Sequence, residues 1–196
     1  MSKPILHLCD FDGTLTRGDS FVRFLWFAIP APQLTIGAAT LVLQFLHLFF
    51  SGQWSNARAK AAVLSMFFRG KTRVDMRALG EAFCREKLPG ILRHELQEKL
   101  RQAIQNGDKV VLVSASPDLW LRPFSTAIGF DLLCTELEFE SDKFMGQFAT
   151  PNCNGAEKAR RIQAAYTLSS FEKIIAYGNS SGDAAMFALA DEVFKF

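Results

Sequence analysis

Two aspartates one residue apart, Asp10 and Asp12, follow an apolar run from Ile5 to Cys9. In a strand, residues i and i+2 share a face, so both carboxylates project into one small space. At that separation they repel unless a cation or a shared proton relieves them. The pair therefore asks for a divalent metal, or for one acid and one base. Gly13 allows a sharp turn directly after them, and Thr14 offers a hydroxyl. Asp and Gly also end strands in ordinary turns. The complete run Asp10-Phe11-Asp12-Gly13-Thr14-Leu15-Thr16 behind a buried strand is a much more specific signal.

Two further apolar runs end in polar clusters. Lys109 to Val113 leads into Ser114-Ala115-Ser116-Pro117-Asp118, and Lys173 to Tyr177 leads into Gly178-Asn179-Ser180-Ser181-Gly182-Asp183. In an open parallel sheet, ligands bind outside the carboxyl ends of the strands. If these strands are neighbours, the clusters converge on a carboxylate-rich pocket with hydroxyls and backbone N–H groups, which suits Mg2+ plus a phosphate. A positive group must then balance the phosphate. Lys158 is the candidate, because it opens a helix after Asn152-Cys153-Asn154-Gly155, where free amides also favour anions. Taken singly, Lys158 reads equally as a solvated helical lysine and Ser114 as a hydroxyl capping the next helix.

The elements that must carry these groups alternate as strands and helices, which implies α/β architecture with a parallel sheet. The expected strands are Ile5 to Asp10, Lys109 to Val113, Asp131 to Thr135, Lys173 to Tyr177 and Val193 to Phe196, with a hairpin around Ser141-Asp142. Residues 20–88 break the alternation as an all-helical block inserted after the first strand. Asp19 or Ser20 and Thr72 are expected helix caps, while Gly52 and Ser55 break and restart the chain ahead of a helix from Ser55 to Phe68. The expected organisation is a core of residues 1–19 and 89–196 with a helical cap of residues 20–88.

With 196 residues, 49% of them hydrophobic, the chain can bury a full core with one insertion. A net charge of +2 gives no nucleic-acid footprint. Cys9, Cys84, Cys134 and Cys153 lack C-x-x-C spacing, so a reduced cytoplasmic setting without structural zinc is expected. The first residues form the acid-bearing strand, so no signal peptide is expected. One segment is unusual. No charge occurs from Phe24 to Ala57, and Leu34 to Phe50 is apolar on nearly every helical face. Such a helix is deeply buried or in contact with lipid. Burial is the favoured expectation and membrane contact the alternative, and Trp26, Phe45 and Trp54 are expected in the cap core.

Together these motifs resemble the haloacid dehalogenase superfamily in its phosphoserine-phosphatase-like branch. Asp10-Phe11-Asp12-Gly13-Thr14 matches the first family motif, Ser114 the second, Lys158 the third and Gly178 to Asp183 the fourth. The resemblance implies a three-layer Rossmann-like core with a helical cap, and a Mg2+-dependent phosphomonoesterase. Asp10 would be the nucleophile and form an aspartyl-phosphate. Asp12 would act as general acid and base. Ser114 and Lys158, with Asp12, Gly13 and Ala115, would hold the phosphate. Asp10, the Asp12 carbonyl, Asn179 and Asp183 would hold Mg2+. Where many relatives have Gly-Asp, this chain has Gly178-Asn179, so an uncharged amide replaces a carboxylate and weaker metal affinity is expected.

Selection among phosphomonoesters falls to the cap, where Asp19, Arg23, Arg58 and Lys60 are the polar candidates. Each reads equally as a solvated helix end. The apolar segment makes a lipid phosphate an alternative to a small polar substrate, in keeping with the apolar caps of type C phosphatidylglycerophosphatases. A weakly catalytic protein of the same fold, binding a phosphorylated ligand or a membrane surface, is the alternative from another class.

Overall fold

The computed structural model describes residues 3–196, apart from the side chain of Ala39. Its centre is β1 (Ile5–Cys9), which pairs in parallel with β2 (Lys109–Pro117) on one side and β6 (Lys173–Gly178) on the other. β3 (Asp131–Thr135) extends the sheet beyond β2, and β7 (Glu192–Lys195) beyond β6, giving the order β3-β2-β1-β6-β7. The three strands that end in polar clusters are therefore neighbours. Their near-continuous apolar runs follow from burial on both faces.

Alternate residues supply the two faces. Leu6, Leu8, Val111, Val113, Ile174 and Ala176 point toward Ile162 of α7 (Ala156–Ala165) and Met186 of α8 (Ala184–Phe187). Cys9, Val110, Leu112 and Tyr177 point toward Leu96 and Leu100 of α5 (His94–Gln105) and Leu121 and Phe124 of α6 (Asp118–Ile128). The core thus has the expected three layers, mostly a parallel sheet between helices.

The inserted block contains α1 (Ser20–Ala28), α2 (Ala31–Phe50), α3 (Asn56–Phe68) and α4 (Arg73–Glu86). Asp19 caps α1 by accepting from the N–H groups of Phe21 and Val22, Ser55 caps α3 through Arg58 N–H, and Thr72 caps α4 through Asp75 N–H. Phe24 of α1 is the hub of the block. Its ring stacks on Trp120 at 4.8 Å and meets Phe83 at 5.6 Å and Phe68 at 5.7 Å. Trp120 belongs to α6, so the block shares one apolar centre with the sheet domain. Gly80 of α4 sits so close to α6 that a Cβ there would lie 2.1 Å from the Leu119 carbonyl oxygen.

The hairpin of β4 (Leu137–Glu140) and β5 (Lys143–Phe148) follows in sequence from the sheet domain but packs on the inserted helices. Phe144 exchanges backbone hydrogen bonds with Lys71 and Gly70, and Gly146 faces Ser65 of α3. The helical block is thus completed by two strands encoded far downstream of it.

Two expectations about the block are corrected. Burial of α2 is not found: Ile36, Leu43, Phe49 and Phe50 are all exposed, and its packing is confined to the side that meets α3. Trp26 and Trp54 are not in the cap core either, being exposed at 70% and 47%. Periodicity reports where apolar residues lie on a helix and cannot report what covers them. Phe45 is half-buried and meets Trp54 edge to face at 5.5 Å.

Candidate active site

The carboxyl end of β1 delivers Asp10 into the interior, where it is 7% exposed. Its backbone N–H still donates to the Tyr177 carbonyl, the last tie of the β1–β6 ladder, at 2.9 Å. The chain then turns through Phe11 to Leu15. Gly13 makes this possible with a φ of +80°, a conformation L side chains rarely adopt. A Cβ at Gly13 would also lie 2.0 Å from Nδ2 of Asn179, so the first and fourth motifs meet at this glycine.

Asp10 is held from two sides. Lys158 Nζ donates to its Oδ1 at 2.7 Å, and Thr14 Oγ1 donates to its Oδ2 at 2.9 Å. Lys158 comes from the first turn of α7 and is 1% exposed. Its Nζ also donates to Asp183 Oδ1 at 2.7 Å. Asp183 Oδ2 in turn accepts from the N–H groups of Asn179 and Ser180 and from the Ser180 hydroxyl. Both Asp183 oxygens are therefore engaged, and the residue fixes Lys158 and the loop after β6 at once.

The Asp12 carboxylate turns the other way. Its Oδ1 accepts from the Ser20 N–H at 2.6 Å, and its Oδ2 accepts from the Ser116 hydroxyl at 2.5 Å. Ser20 opens α1, so its N–H is one of the amides a helix leaves free. The Ser20 hydroxyl accepts from Trp120 Nε1 at 2.9 Å, and this ties the first cap helix, α6 and Asp12 into one chain of contacts. Ser114 is buried at the β2 end, and its hydroxyl accepts from the Ser116 N–H at 3.1 Å. Ala115 lies between these two serines.

The electrostatics separate the two aspartates from ordinary surface carboxylates. Burial, reinforced by Asp183 and opposed by Lys158, pushes the Asp10 carboxyl up to about 6. Burial also raises Asp12, against the hydrogen bonds from Ser116 and Ser20. For Lys158, burial acts to lower its value, but Asp10 and Asp183 outweigh it and leave the ammonium more firmly protonated than usual. Asp183 is affected by burial too, yet Lys158 and the neighbouring N–H donors hold it below the usual carboxylate range.

A hard divalent cation can be tested against this donor set. Mg2+ keeps several waters and needs only one or two carboxylates together with substrate phosphate oxygens. The candidate donors are the Asp10 carboxylate at the β1 end and the Asn179 side chain against Gly13, and Asp10, like Asp12 and Asp183, already accepts hydrogen bonds on both carboxylate oxygens. That set fits a cation held by few protein charges. Among the described residues no three His, Cys, Asp or Glu side chains group as a metal site, consistent with an amide at position 179.

The structure thus brings Asp10, Asp12, Gly13, Ser114, Lys158, Asn179 and Asp183 together at the ends of adjacent strands. The cap candidates are dispersed. Asp19 is spent on capping α1, and Arg58 donates to the backbone and side-chain oxygens of Gln53. Arg23 lines a shallow cleft with Trp26 and Lys87. Lys60 lies over the Phe21 ring at 5.3 Å, one residue from Ser20. Sequence reasoning missed the Ser20 and Trp120 contacts. The free first-turn amide of a helix opening eight residues after Asp12 was the available signal for Ser20.

The family model for haloacid dehalogenase-like hydrolases matches residues 8–188. Protein CicA of Caulobacter vibrioides is 36% identical over 197 aligned residues, covering 97% of this chain and 85% of its own. A protein of unknown function from Bordetella pertussis Tohama I superposes with a TM-score of 0.77 at 19% identity, over 98% of this chain and 89% of that one. A substrate-bound phosphoserine phosphatase superposes with a TM-score of 0.66 at 16% identity, over 100% of this chain and 87% of that one. At those identities the two structures speak for the fold, while the family match runs from the first strand through all four polar clusters. The chain belongs to the haloacid dehalogenase-like hydrolase family.

Proposed function

We propose that this chain is a Mg2+-dependent phosphomonoester hydrolase that works through an aspartyl-phosphate. The observation that carries the reading is the division of labour between two buried carboxylates. Asp10 faces Lys158 and Thr14, whereas Asp12 is held apart by Ser20 and Ser116. An Asp10 oxygen attacks phosphorus, and the ester P–O bond breaks as Asp12 gives its proton to the leaving oxygen. Water then attacks phosphorus as Asp12 takes its proton, and the P–O bond to Asp10 breaks, which restores the Asp10 carboxylate and releases inorganic phosphate. Burial that raises Asp12 supports its acid role in the first half.

Lys158 and Ser114, with the backbone N–H of Ala115, would hold the phosphoryl oxygens and offset their charge, while the Gly13 N–H is directed at the Gly18 carbonyl and Thr16 Oγ1 and Gly13 serves through its turn. Mg2+, when bound, supplies further charge neutralisation at the phosphoryl group. The Asp10 carboxylate, the Asp12 carbonyl and the Asn179 amide oxygen would hold it. Asp183 accepts from Lys158 on Oδ1 and from three donors of the loop after β6 on Oδ2, more than Asp10 or Asp12 accepts, which supports a positioning role for it. Asp183 is therefore a positioning residue in this reading.

The substrate is a small phosphorylated molecule in the first reading. A lipid phosphate is the second reading, favoured by the exposure of α2 on the cap. Phosphate release from a panel of sugar, amino-acid, nucleotide and lipid phosphates, with and without Mg2+, tests both. Activity confined to lipid phosphates selects the second, and no Mg2+-dependent release from any member refutes the enzyme reading.

A further inference from the structure

Helix α2 carries a surface that the catalytic centre does not use. Its inner side meets α3, with Gly37 against Phe67 and Met66. Helical geometry places Ile36, Leu43, Leu46 and Phe50 on the opposite side. These four are exposed at 74%, 69%, 47% and 80%. Val42 and Phe49 widen the stripe, and exposed Trp26 and Trp54 stand in the chain before and after the helix. Single scattered exposed apolar residues need no explanation, but six large ones on one helix, Ile36, Val42, Leu43, Leu46, Phe49 and Phe50, mark an interaction surface.

Charge identifies the occupant. From Ser20 to Val74 there is no Asp or Glu, while there are six Lys or Arg residues. Residues 20–88 hold nine Lys or Arg against three Asp or Glu, a net of +6. The rest of the chain holds thirteen against seventeen, a net of −4. With the hairpin that packs on it, which adds Lys143 against Glu138, Glu140 and Asp142, the cap carries ten Lys or Arg against six Asp or Glu, a net of +4, and the rest a net of −2, so the apolar stripe belongs to the basic half of the molecule. Arg58 borders α2 in a groove with Thr40, Gln44 and His47, and Arg23 lies beside Trp26. Tryptophan and arginine beside an apolar helix suit the boundary between lipid headgroups and acyl chains.

We propose that α2 lies flat on an anionic lipid bilayer, with Ile36, Leu43, Leu46 and Phe50 among the acyl chains and Arg23 and Arg58 at the headgroups. By length and composition this helix could cross a membrane. Its inner side is committed to α3 and its ends lead into α1 and α3, which favours an interfacial position. A second copy of the chain is the competing occupant. A two-fold pairing of α2 would bring together two stripes bordered by Arg58, with no Asp or Glu in residues 20–74 to pair with it, so lipid is the better match. The inference stands on the cap alone and does not rest on the hydrolytic reading.

The test is co-sedimentation of the full chain with phosphatidylcholine vesicles, with and without phosphatidylglycerol. Binding is expected on the anionic vesicles, and at least about ten-fold weaker on neutral ones or in high salt. Leu43→Glu and Phe50→Glu should abolish it, because each places a carboxylate in the stripe. Both positions are exposed, so an unchanged circular dichroism spectrum confirms that the fold is kept. Arg58→Glu should weaken binding about ten-fold through charge reversal at the headgroups. No vesicle binding, or equal binding to neutral and anionic vesicles, overturns the proposal. So does a concentration-dependent dimer that Leu43→Glu dissociates without any vesicle binding, which assigns the stripe to a second copy.

Discussion

Replacing Asp10 by Asn removes a carboxyl that burial pushes from its usual 3.8 up to about 6, and the consequence can be worked through for the metal-free protein. Between those two values the folded chain binds the Asp10 proton more tightly than the unfolded chain does. Stability from this group is therefore fully present below pH 3.8 and is lost as pH rises through about 6. Between pH 5 and pH 7.5 the loss corresponds to roughly a ten-fold change in the folding equilibrium, on the order of 1 kcal/mol. In a chain of this size that is about 2–4 °C in melting temperature. Asn does not titrate, so this component vanishes in Asp10→Asn. Absolute stability also changes, because Lys158 loses a partner, so the diagnostic quantity is the pH slope. Asp183 stays out of the way, since Lys158 holds it below the usual carboxylate range. Urea unfolding in EDTA at pH 5 and pH 7.5 measures the slope for both proteins. Wild type should lose on the order of 1 kcal/mol more than the variant over this interval. Equal slopes would refute the claim that Asp10 is a strained, buried carboxyl waiting for a cation.

Three further substitutions test other parts of the structure. Asn179→Asp adds a carboxylate against Gly13, at the turn that follows Asp10, and calorimetric titration should show Mg2+ bound at least about ten-fold more tightly. Lys158→Met leaves Asp10 and Asp183 as buried carboxylates without their cation. Urea unfolding at pH 7.5 should show a loss of about 3–5 kcal/mol, easing as pH falls and the carboxyls protonate. Gly80→Ala places a methyl against the Leu119 carbonyl, where backbone cannot yield. Overpacking should cost about 1–3 kcal/mol, outweighing the gain of up to about 1 kcal/mol that Ala has over Gly in a helix. Thermal unfolding reads the difference.

Much of the sheet and its site was legible because the signals are local. Ile5–Cys9, Val110–Val113 and Lys173–Tyr177 are apolar runs stopped by polar clusters, and a two-sided parallel strand has few other ways to read. The convergence of Asp10, Ser114 and Asn179 then followed from neighbouring strands, which the β2-β1-β6 order provides. What escaped was set by distant contacts. The tie from Ser20 to Asp12 depends on where α1 starts relative to the β1 turn, and Trp120 reaches Ser20 across a hundred residues. The hairpin at residues 137–148 was expected as a hairpin, but its docking on α3 depends on Gly146 meeting Ser65, which no local pattern encodes. The exposure of α2 escaped for a simpler reason. An apolar helix looks the same in sequence whether protein, lipid or water lies beyond it.

The catalytic account rests on Asp10 as the attacking group, held by Lys158 and Thr14 at the end of β1. Phosphate release from an aryl phosphate by wild type and Asp10→Asn, each with Mg2+ and with EDTA, tests this most directly. The account predicts turnover by wild type that requires Mg2+, and a loss of at least about a thousand-fold in the variant. Wild-type and Asp10→Asn proteins releasing phosphate at similar Mg2+-dependent rates would contradict it.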